Sequence, residues 1–240
     1  MTPGFDLHGC RAFVTGGSKG IGAAIVRRLR VQGAEVVLSA QDMPLAEALA
    51  LETGARAVRL DVTDLAAASK AVCDNGPFDI LVNNAGQDQH AFFTDTRPEQ
   101  WRQLLAVNLE AVFATVHAAL PAMQAARWGR IINVGSEAGR QGSRGGSVYA
   151  AAKGGVIAFT KSLARENGRY GITANVVAPG PVDTPLLRKA VAEGGDKLLA
   201  AMKSATLLNR LGTPDEVAAA VAFLASDEAA CITGETLGVS

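Results

Sequence analysis

The sequence predicts an α/β fold: one doubly wound parallel sheet of about seven strands, with helices on both faces, in a single domain over residues 1–240. Three observations carry this expectation. Short β-rich runs alternate with longer runs of helical spacing along the whole chain. A glycine-rich turn joins the first strand to the first helix, where such folds place a phosphate-binding loop. No linker, internal repeat or low-complexity tract divides the chain. Right-handed crossovers between parallel strands then put helices on both faces.

Arg11 to Val14 is the first strand, and it runs into Thr15-Gly16-Gly17-Ser18-Lys19-Gly20-Ile21-Gly22. Ile21, Ile25, Val26 and Leu29 follow at helical spacing. Glu35 to Leu38 is the second strand, Leu45 to Leu51 is helical, and Ala57 to Leu60 is the third strand. Asp61-Val62-Thr63-Asp64 offers a carboxylate cap to a helix reaching about Cys73. Phe78 to Val82 is the fourth strand, stopped by the turn-rich Asn83-Asn84-Ala85-Gly86. Thr96 to Gln124 reads as one long helix. Arg130 to Val134 is the fifth strand, Ser136 to Ser147 a loop, and Val148 to Glu166 a second long helix. Ile172 to Val177 is the sixth strand, ending at Ala178-Pro179-Gly180-Pro181. Residues 182–208 form a candidate lid, with helical scraps around Gly194-Gly195. Thr213 caps a helix with Pro214 at its first position and acids in its first turn; Glu235 to Val239 is the last strand.

Composition narrows the function. Hydrophobic residues make up 48% and charged residues 19%, enough for a large core and too apolar for global disorder. Lys+Arg and Asp+Glu both number 23, and no basic run occurs, which argues against nucleic acid or an anionic membrane as partner. No apolar run is expected to reach membrane-spanning length, and residues 1–10 lack a signal-peptide pattern. Cys10, Cys73 and Cys231 are odd in number and widely spaced, so they are expected to be reduced and mostly buried in a cytoplasmic protein. His8, His90 and His117 show no metal-ligand spacing, and no metal site is expected.

The pair Tyr149 and Lys153 carries the chemistry. Residues four apart on a helix lie one turn above another, so a phenol and an ammonium become neighbours. A free phenol titrates near pH 10 and exchanges protons poorly at neutrality. A nearby positive charge favours phenolate. An exposed pair supplies too little of this effect, but a partly buried one beside a cationic nicotinamide ring would supply more. Tyr-x-x-x-Lys also occurs in ordinary solvated helices, so the surrounding motifs decide its meaning. Gly16, Gly20 and Gly22 would bring backbone close to a pyrophosphate at a helix N-terminus. Their spacing is Thr-Gly-x-x-x-Gly-x-Gly rather than Gly-x-Gly-x-x-Gly.

The Thr15–Gly22 turn, Asn83–Gly86, Ser136 thirteen residues before Tyr149, Lys153, and Pro179-Gly180 stand in one order across nearly the whole chain. Together they resemble the short-chain dehydrogenase/reductase family, nearest to its 3-oxoacyl-thioester reductase and hydroxyacyl-CoA dehydrogenase-like members. The resemblance implies a Rossmann-type fold and hydride transfer between a nicotinamide and a substrate carbon, interconverting a ketone and a secondary alcohol. It implies that Tyr149 exchanges the proton, Lys153 lowers the tyrosine pKa and binds the nicotinamide ribose, Ser136 bonds the reacting oxygen, and Asn108 holds a water leading to the lysine. The cofactor residues it implies are Gly16, Ser18, Lys19, Gly20, Ile21, Gln41, Asp61, Val62, Asn83, Ala85, Gly86, Tyr149, Lys153, Pro179, Gly180, Val182 and Thr184.

Coenzyme choice rests on the end of the second strand, where an acid would bind the adenosine ribose of NAD(H). Ala40 stands there, followed by Gln41. Lys19 could pair with a 2′-phosphate, with Ser39 and Gln41 adding hydrogen bonds, so NADP(H) is favoured over NAD(H). Asp42, if bent back toward the ribose, would reverse that preference. Candidate substrate residues come from the loops beyond the strand ends: Gln87, His90, Arg140, Gln141, Arg144 and Leu186. The substrate is expected to be a small molecule: a 3-oxoacyl thioester, a small cyclic ketone or a polyol. Arg169 precedes Tyr170, where a carrier-docking base would be expected one place later, which counts against the carrier-protein version. Related chains continue past the last strand into a glycine pair and a short tail, whereas this sequence ends at Ser240. A homodimer or homotetramer is expected through the two long helices, with Ala111, Ala114, Ala118 and Ala119 permitting close approach, unless those alanines face the protein's own sheet. A non-catalytic nucleotide-binding redox sensor is the alternative of another class; an epimerase or dehydratase that keeps its coenzyme is a third reading.

Overall fold

Alternation along each strand sends successive side chains to opposite faces of a sheet, and both faces must find a core. The computed structural model of the chain describes residues 5–240, the side-chain surroundings of 193 and 194 excepted. Its elements run β1 (Arg11–Thr15), α1 (Gly20–Val31), β2 (Glu35–Ala40), α2 (Met43–Thr53), β3 (Arg56–Arg59), α3 (Leu65–Asn75), β4 (Ile80–Asn83), α4 (Pro98–Leu105), α5 (Ala111–Ala126), β5 (Gly129–Val134), α6 (Glu137–Gln141), α7 (Ser147–Asn167), β6 (Ile172–Pro179), α8 (Pro185–Ser204), α9 (Pro214–Ala225) and β7 (Thr236–Val239). The seven strands form one parallel sheet in the order β3-β2-β1-β4-β5-β6-β7. The expected doubly wound fold is therefore present, with the switch in direction between β1 and β4.

Two cores follow from the alternation. Val14, Leu38, Ile80, Val82 and Ile132 meet Ile25 and Leu29 of α1 and Val217 and Val221 of α9 on one face. Phe13, Val37, Leu81 and Ile131 meet Val72 of α3, Val116 of α5 and Val156 of α7 on the other. Ala111 and Ala119 are buried in this second core, and Ala114 and Ala118 pack against it. These alanines seat α5 within its own subunit, which corrects the expectation that they form an open stripe for a second copy.

Four other expectations change. The long helix from Thr96 is not regular: between α4 and α5 the backbone makes a π-turn over Ala106–Glu110. Counted across that turn, Pro98–Ala126 is a helical stretch of 29 residues within which 18 consecutive residues average a hydropathy of 1.5, long and apolar enough by composition to cross a membrane. Its apolar side chains Val112, Val116 and Met123 enter the second core instead. Residues 137–141, expected as loop, form α6, because Ser136 caps a short helical turn by accepting from Ala138 N at 3.1 Å. The stretch from Pro185 to Ser204 is helical on either side of Gly195, whose φ of 70° a helix does not allow, so the expected helical scraps around Gly194-Gly195 are present. Of the three thiols, Cys10 is half-buried while Cys73 and Cys231 are exposed, and none is paired.

Candidate active site

The glycine turn is fastened from two sides. Thr15 at the end of β1 accepts, on Oγ1, from Asn84 N and Ala85 N, both at 3.0 Å. Asn84 Nδ2 donates to Thr15 O and Gly16 O, again at 3.0 Å. Gly16 has φ +63°, and a Cβ there would stand 2.9 Å from Ala85 Cα. A Cβ on Gly22 would stand 2.1 Å from Gly16 O. Only glycine permits this close approach.

Above the turn lies a cleft of about 410 Å³ at the C-terminal ends of β1 to β4. It sits at the switch point of the sheet, where open α/β folds bind nucleotides. Whether a dinucleotide fits is tested by the end of α1. Its N-terminus opens on the cleft, no side chain caps it, and its first turn holds no acid. By contrast Asp42 caps α2, Asp64 caps α3 and Thr213 caps α9. A helix end left with free N–H groups and a positive dipole suits a pyrophosphate. The residues present fit the group.

Most of the expected cofactor residues line this cleft: Gly16, Ser18, Lys19, Gly20, Ile21, Gln41, Asp61, Val62, Ala85, Gly86 and Thr184. Asp61 is fixed in place: Thr63 donates to its carboxylate from N at 2.9 Å and from Oγ1 at 2.7 Å, holding its pKa below the usual carboxylate range. Five expected positions are placed otherwise. Asn83 points into the second core: its Nδ2 donates to Asn133 Oδ1 at 2.9 Å, and its Oδ1 accepts from Thr115 Oγ1 at 2.7 Å. Val182 is buried in the first core and bridges to Gly212. Pro179 and Gly180 pair with the last strand at Val239. Ser39 is fully buried with no partner for its hydroxyl, so it cannot reach a 2′-phosphate.

The expected catalytic residues meet beside the cleft. Ser136 follows β5, and Tyr149 stands in the first turn of α7. Lys153, one turn on, is only 4% exposed; its Nζ lies 5.8 Å from the Tyr149 ring centre and donates to Val134 O at 2.8 Å. The π-turn aims Asn108 inward. Its Nδ2 donates to Gln87 O at 2.8 Å and Leu104 O at 3.0 Å, and its Oδ1 accepts from Gln87 N at 3.3 Å. A Cβ on Gly86 would stand 2.9 Å from Asn108 Oδ1 and 3.6 Å from Lys153 Nζ, so these two groups flank Gly86. Ser136, Tyr149, Lys153 and Asn108 are thus brought together.

This geometry has close counterparts. A solved short chain dehydrogenase/reductase family protein superposes with a TM-score of 0.90 at 37% identity, covering 98% of this chain and 97% of the other. 3-Oxoacyl-[acyl-carrier-protein] reductase FabG of Escherichia coli (strain K12) is 43% identical over 241 residues, covering 98% of this chain and 97% of its own length. The chain belongs to the short-chain dehydrogenase/reductase family. The family model described as Enoyl-(Acyl carrier protein) reductase matches residues 16–240. Acetoacetyl-CoA reductase of Shinella zoogloeoides is 39% identical over 236 residues, 95% of this chain and 96% of its own length. As a member of this family, the protein is an oxidoreductase that uses a nicotinamide coenzyme to interconvert a ketone and a secondary alcohol of a small-molecule substrate.

Within this short-chain dehydrogenase/reductase, the protein's own groups leave the phenol less acidic than expected. Burial and the charge of Asp88 push Tyr149 up to about 12, while the Ser136 hydroxyl pulls the other way. Burial pulls Lys153 down to about 8, with Asp88 opposing. Among the protein's own groups the expected lowering of the tyrosine pKa by Lys153 does not appear: burial and the Asp88 charge set the direction, and the ammonium donates to Val134 O.

The candidate substrate residues divide. Gln87 and Leu186 line the coenzyme cleft, and Gln87 and His90 line an adjoining cavity of about 430 Å³. Arg140 and Gln141 are instead held by Glu137, at 2.7 and 2.8 Å. Arg144 stacks its guanidinium 5.4 Å from the centre of the Phe92 ring. The two arginines therefore have partners of their own and do not converge on an anion. Asp88 and Gln103 border the adjoining cavity and were signalled by no motif, since acids and amides in a loop carry no spacing.

Proposed function

We propose that the protein is an NADPH-dependent reductase of a 3-oxoacyl thioester, with Tyr149 as general acid. The observation that supports this reading is the grouping of Ser136, Tyr149 and Lys153 at the end of β5, beside a cleft whose helix end is left open for a pyrophosphate. Burial and the Asp88 charge raise the phenol's pKa, so Tyr149 carries its proton at neutral pH, as a general acid must. Ser136 Oγ bonds the carbonyl oxygen as charge develops on it, and Tyr149 Oη gives it the proton. Lys153 holds positive charge beside the phenol and would bond the nicotinamide ribose. Asn108, through its three bonds, fixes the height of Gln87 and so one wall of the site. Gly20 and Ile21 would hold the pyrophosphate, and Asp61 and Val62 the adenine. When bound, the nicotinamide supplies the hydride to the substrate carbon.

NADP(H) over NAD(H) is supported by Lys19, exposed at the mouth of α1 and lining the cleft, and by the lack of an acid at Ala40. Asp42 also borders the cleft, but its Oδ1 accepts from Leu45 N at 3.4 Å, which commits it to capping α2. Lys19→Ala is expected to lower kcat/KM for NADPH about tenfold, the scale of one hydrogen bond to a charged group, with little change for NADH. A wild-type NADPH preference in that variant contradicts the role of Lys19.

Asp88 gives a pH prediction. Its negative charge disfavours phenolate and favours ammonium, raising both Tyr149 and Lys153. Removing the charge lowers both. Asp88→Asn is expected to move the rising limb of alcohol oxidation, which needs phenolate, to lower pH. A profile unchanged from wild type excludes Asp88 from the proton balance.

The reading includes a homodimer or homotetramer in the cytoplasm. Phe113, 40% exposed on α5, with its ring tilted against that of Phe159 of α7 at 4.7 Å between centres, supports such an interface. A second substrate reading, a polyol or small cyclic ketone, is supported by the adjoining cavity, whose walls include Asp88, Glu99 and Gln100. Consumption of NADPH with acetoacetyl-CoA, set beside a panel of cyclic ketones and sugar-derived ketones, tests the choice. Turnover of the thioester at the highest kcat/KM is expected. No turnover of it, with turnover of a hydroxylated ketone, transfers the reading to the polyol class.

A further inference from the structure

α7 begins without a cap of its own. Its N-cap residue is Gly146, which has no side chain to offer. The first turn of a helix leaves N–H groups with no intrahelical acceptor. Here two of them are met from a distant segment. Oε1 of Gln89 accepts from Val148 N at 3.0 Å and from Tyr149 N at 3.2 Å, across 59 and 60 residues of sequence. Gln89 is 8% exposed, and its Nε2 donates to Ala91 O at 3.1 Å. Ala91 N donates to Gly145 O at 3.0 Å. The loop after β4 is thereby joined to the start of α7 through side chain and main chain together.

The position of Tyr149 makes this contact consequential. It is the third residue of α7, inside the turn that frays first. Lys153 lies a turn deeper and is held independently by Val134 O. Without an acceptor over the first turn, the phenol could shift relative to the ammonium and to Ser136. We propose that Gln89 is a positioning residue for the reaction: it caps α7 from a separate loop and so sets the height of Tyr149 Oη. The inference rests on the reading of Tyr149 as the proton-exchanging group.

Gln89→Met keeps the side chain's length and removes its acceptor. Wild type, Gln89→Met, Gln89→Glu and Tyr149→Phe are compared as full chains for kcat with acetoacetyl-CoA, coenzyme Kd, melting temperature and pH profile. Gln89→Met is expected to lose about ten- to hundredfold in kcat, the scale of a misplaced reacting group. Its coenzyme Kd should stay within about twofold, because the pyrophosphate end is built on α1, away from Gln89. Gln89→Glu keeps an acceptor oxygen and should recover most of the rate. Its added charge should also move the oxidation limb to higher pH, on top of Asp88 and Lys153, the charged groups already around the phenol, with His90 3.7 Å from the Asp88 carboxylate. Wild-type kcat in Gln89→Met overturns the proposal. So does an equal loss in Gln89→Glu, or a loss of kcat that only tracks lost coenzyme affinity and melting temperature. Should Gln89→Met fail to fold, Gln89→Glu decides alone: an active enzyme with a displaced pH limb supports the cap, and an unmoved limb refutes it. Full activity in Tyr149→Phe would remove the underlying reading of the phenol, whereas an inactive Tyr149→Phe beside a fully active Gln89→Met removes only the cap.

Discussion

Tyr149→Phe is expected to lower kcat for ketone reduction by about two to four orders of magnitude, the usual weight of a positioned general acid. The substitution removes one oxygen and leaves the ring in place beside Lys153, whose Nζ lies 5.8 Å from its centre. Lys153 keeps its bond to Val134 O, so the fold around the site has no reason to move. Coenzyme Kd, read by fluorescence titration, should therefore change little. That split, chemistry lost and coenzyme binding kept, is what distinguishes a proton donor from a residue that shapes the cleft. Equal kcat in the two proteins would exclude the phenol from the chemical step.

The second large effect is expected at Gly22. A single methyl there would stand 2.1 Å from Gly16 O and 2.5 Å from Asn84 Nδ2. Neither atom can withdraw freely, because Asn84 Nδ2 already binds Thr15 O and Gly16 O and so joins the turn to the loop after β4. Gly22→Ala should cost at least about 1–3 kcal/mol, as overpacking does, and should abolish coenzyme binding by opening the turn under the pyrophosphate. Urea unfolding and coenzyme titration measure the two. Gly168→Ala is the control: an added Cβ meets nothing within 4 Å there, and its φ of −56° suits alanine. A Gly22→Ala protein that binds coenzyme as wild type does would mean that the turn is not the pyrophosphate seat.

Much of this architecture is readable from residue order alone, for a physical reason. Buried parallel strands are short and β-branched, and the helices between them are amphipathic, so Val36–Leu38 or Ile131–Val134 announce themselves without tertiary information. Tyr149 and Lys153 are legible because helix geometry makes any pair four apart into neighbours. What escaped depends on contacts between segments far apart in sequence. The direction of Asn83 is one case. It shares the strand face of Leu81, which enters the second core, so its amide turns toward Thr115 and Asn133 rather than the cleft. The π-turn at Ala106–Glu110 is another, since nothing in a helical period marks one extra residue. The phenol's raised pKa is a third: a neighbouring ammonium can be counted from spacing, but the extent of desolvation cannot.

The contact between Gln89 and α7 bears on how such an enzyme could be remodelled. Specificity loops on a rigid scaffold are commonly treated as interchangeable modules. Here the segment after β4 also completes the main-chain bonding of the helix beneath it. A transplanted loop that brought new selectivity without an oxygen at that height would slow turnover of every substrate, old and new alike, and directed evolution of this segment should retain an acceptor there while its neighbours vary.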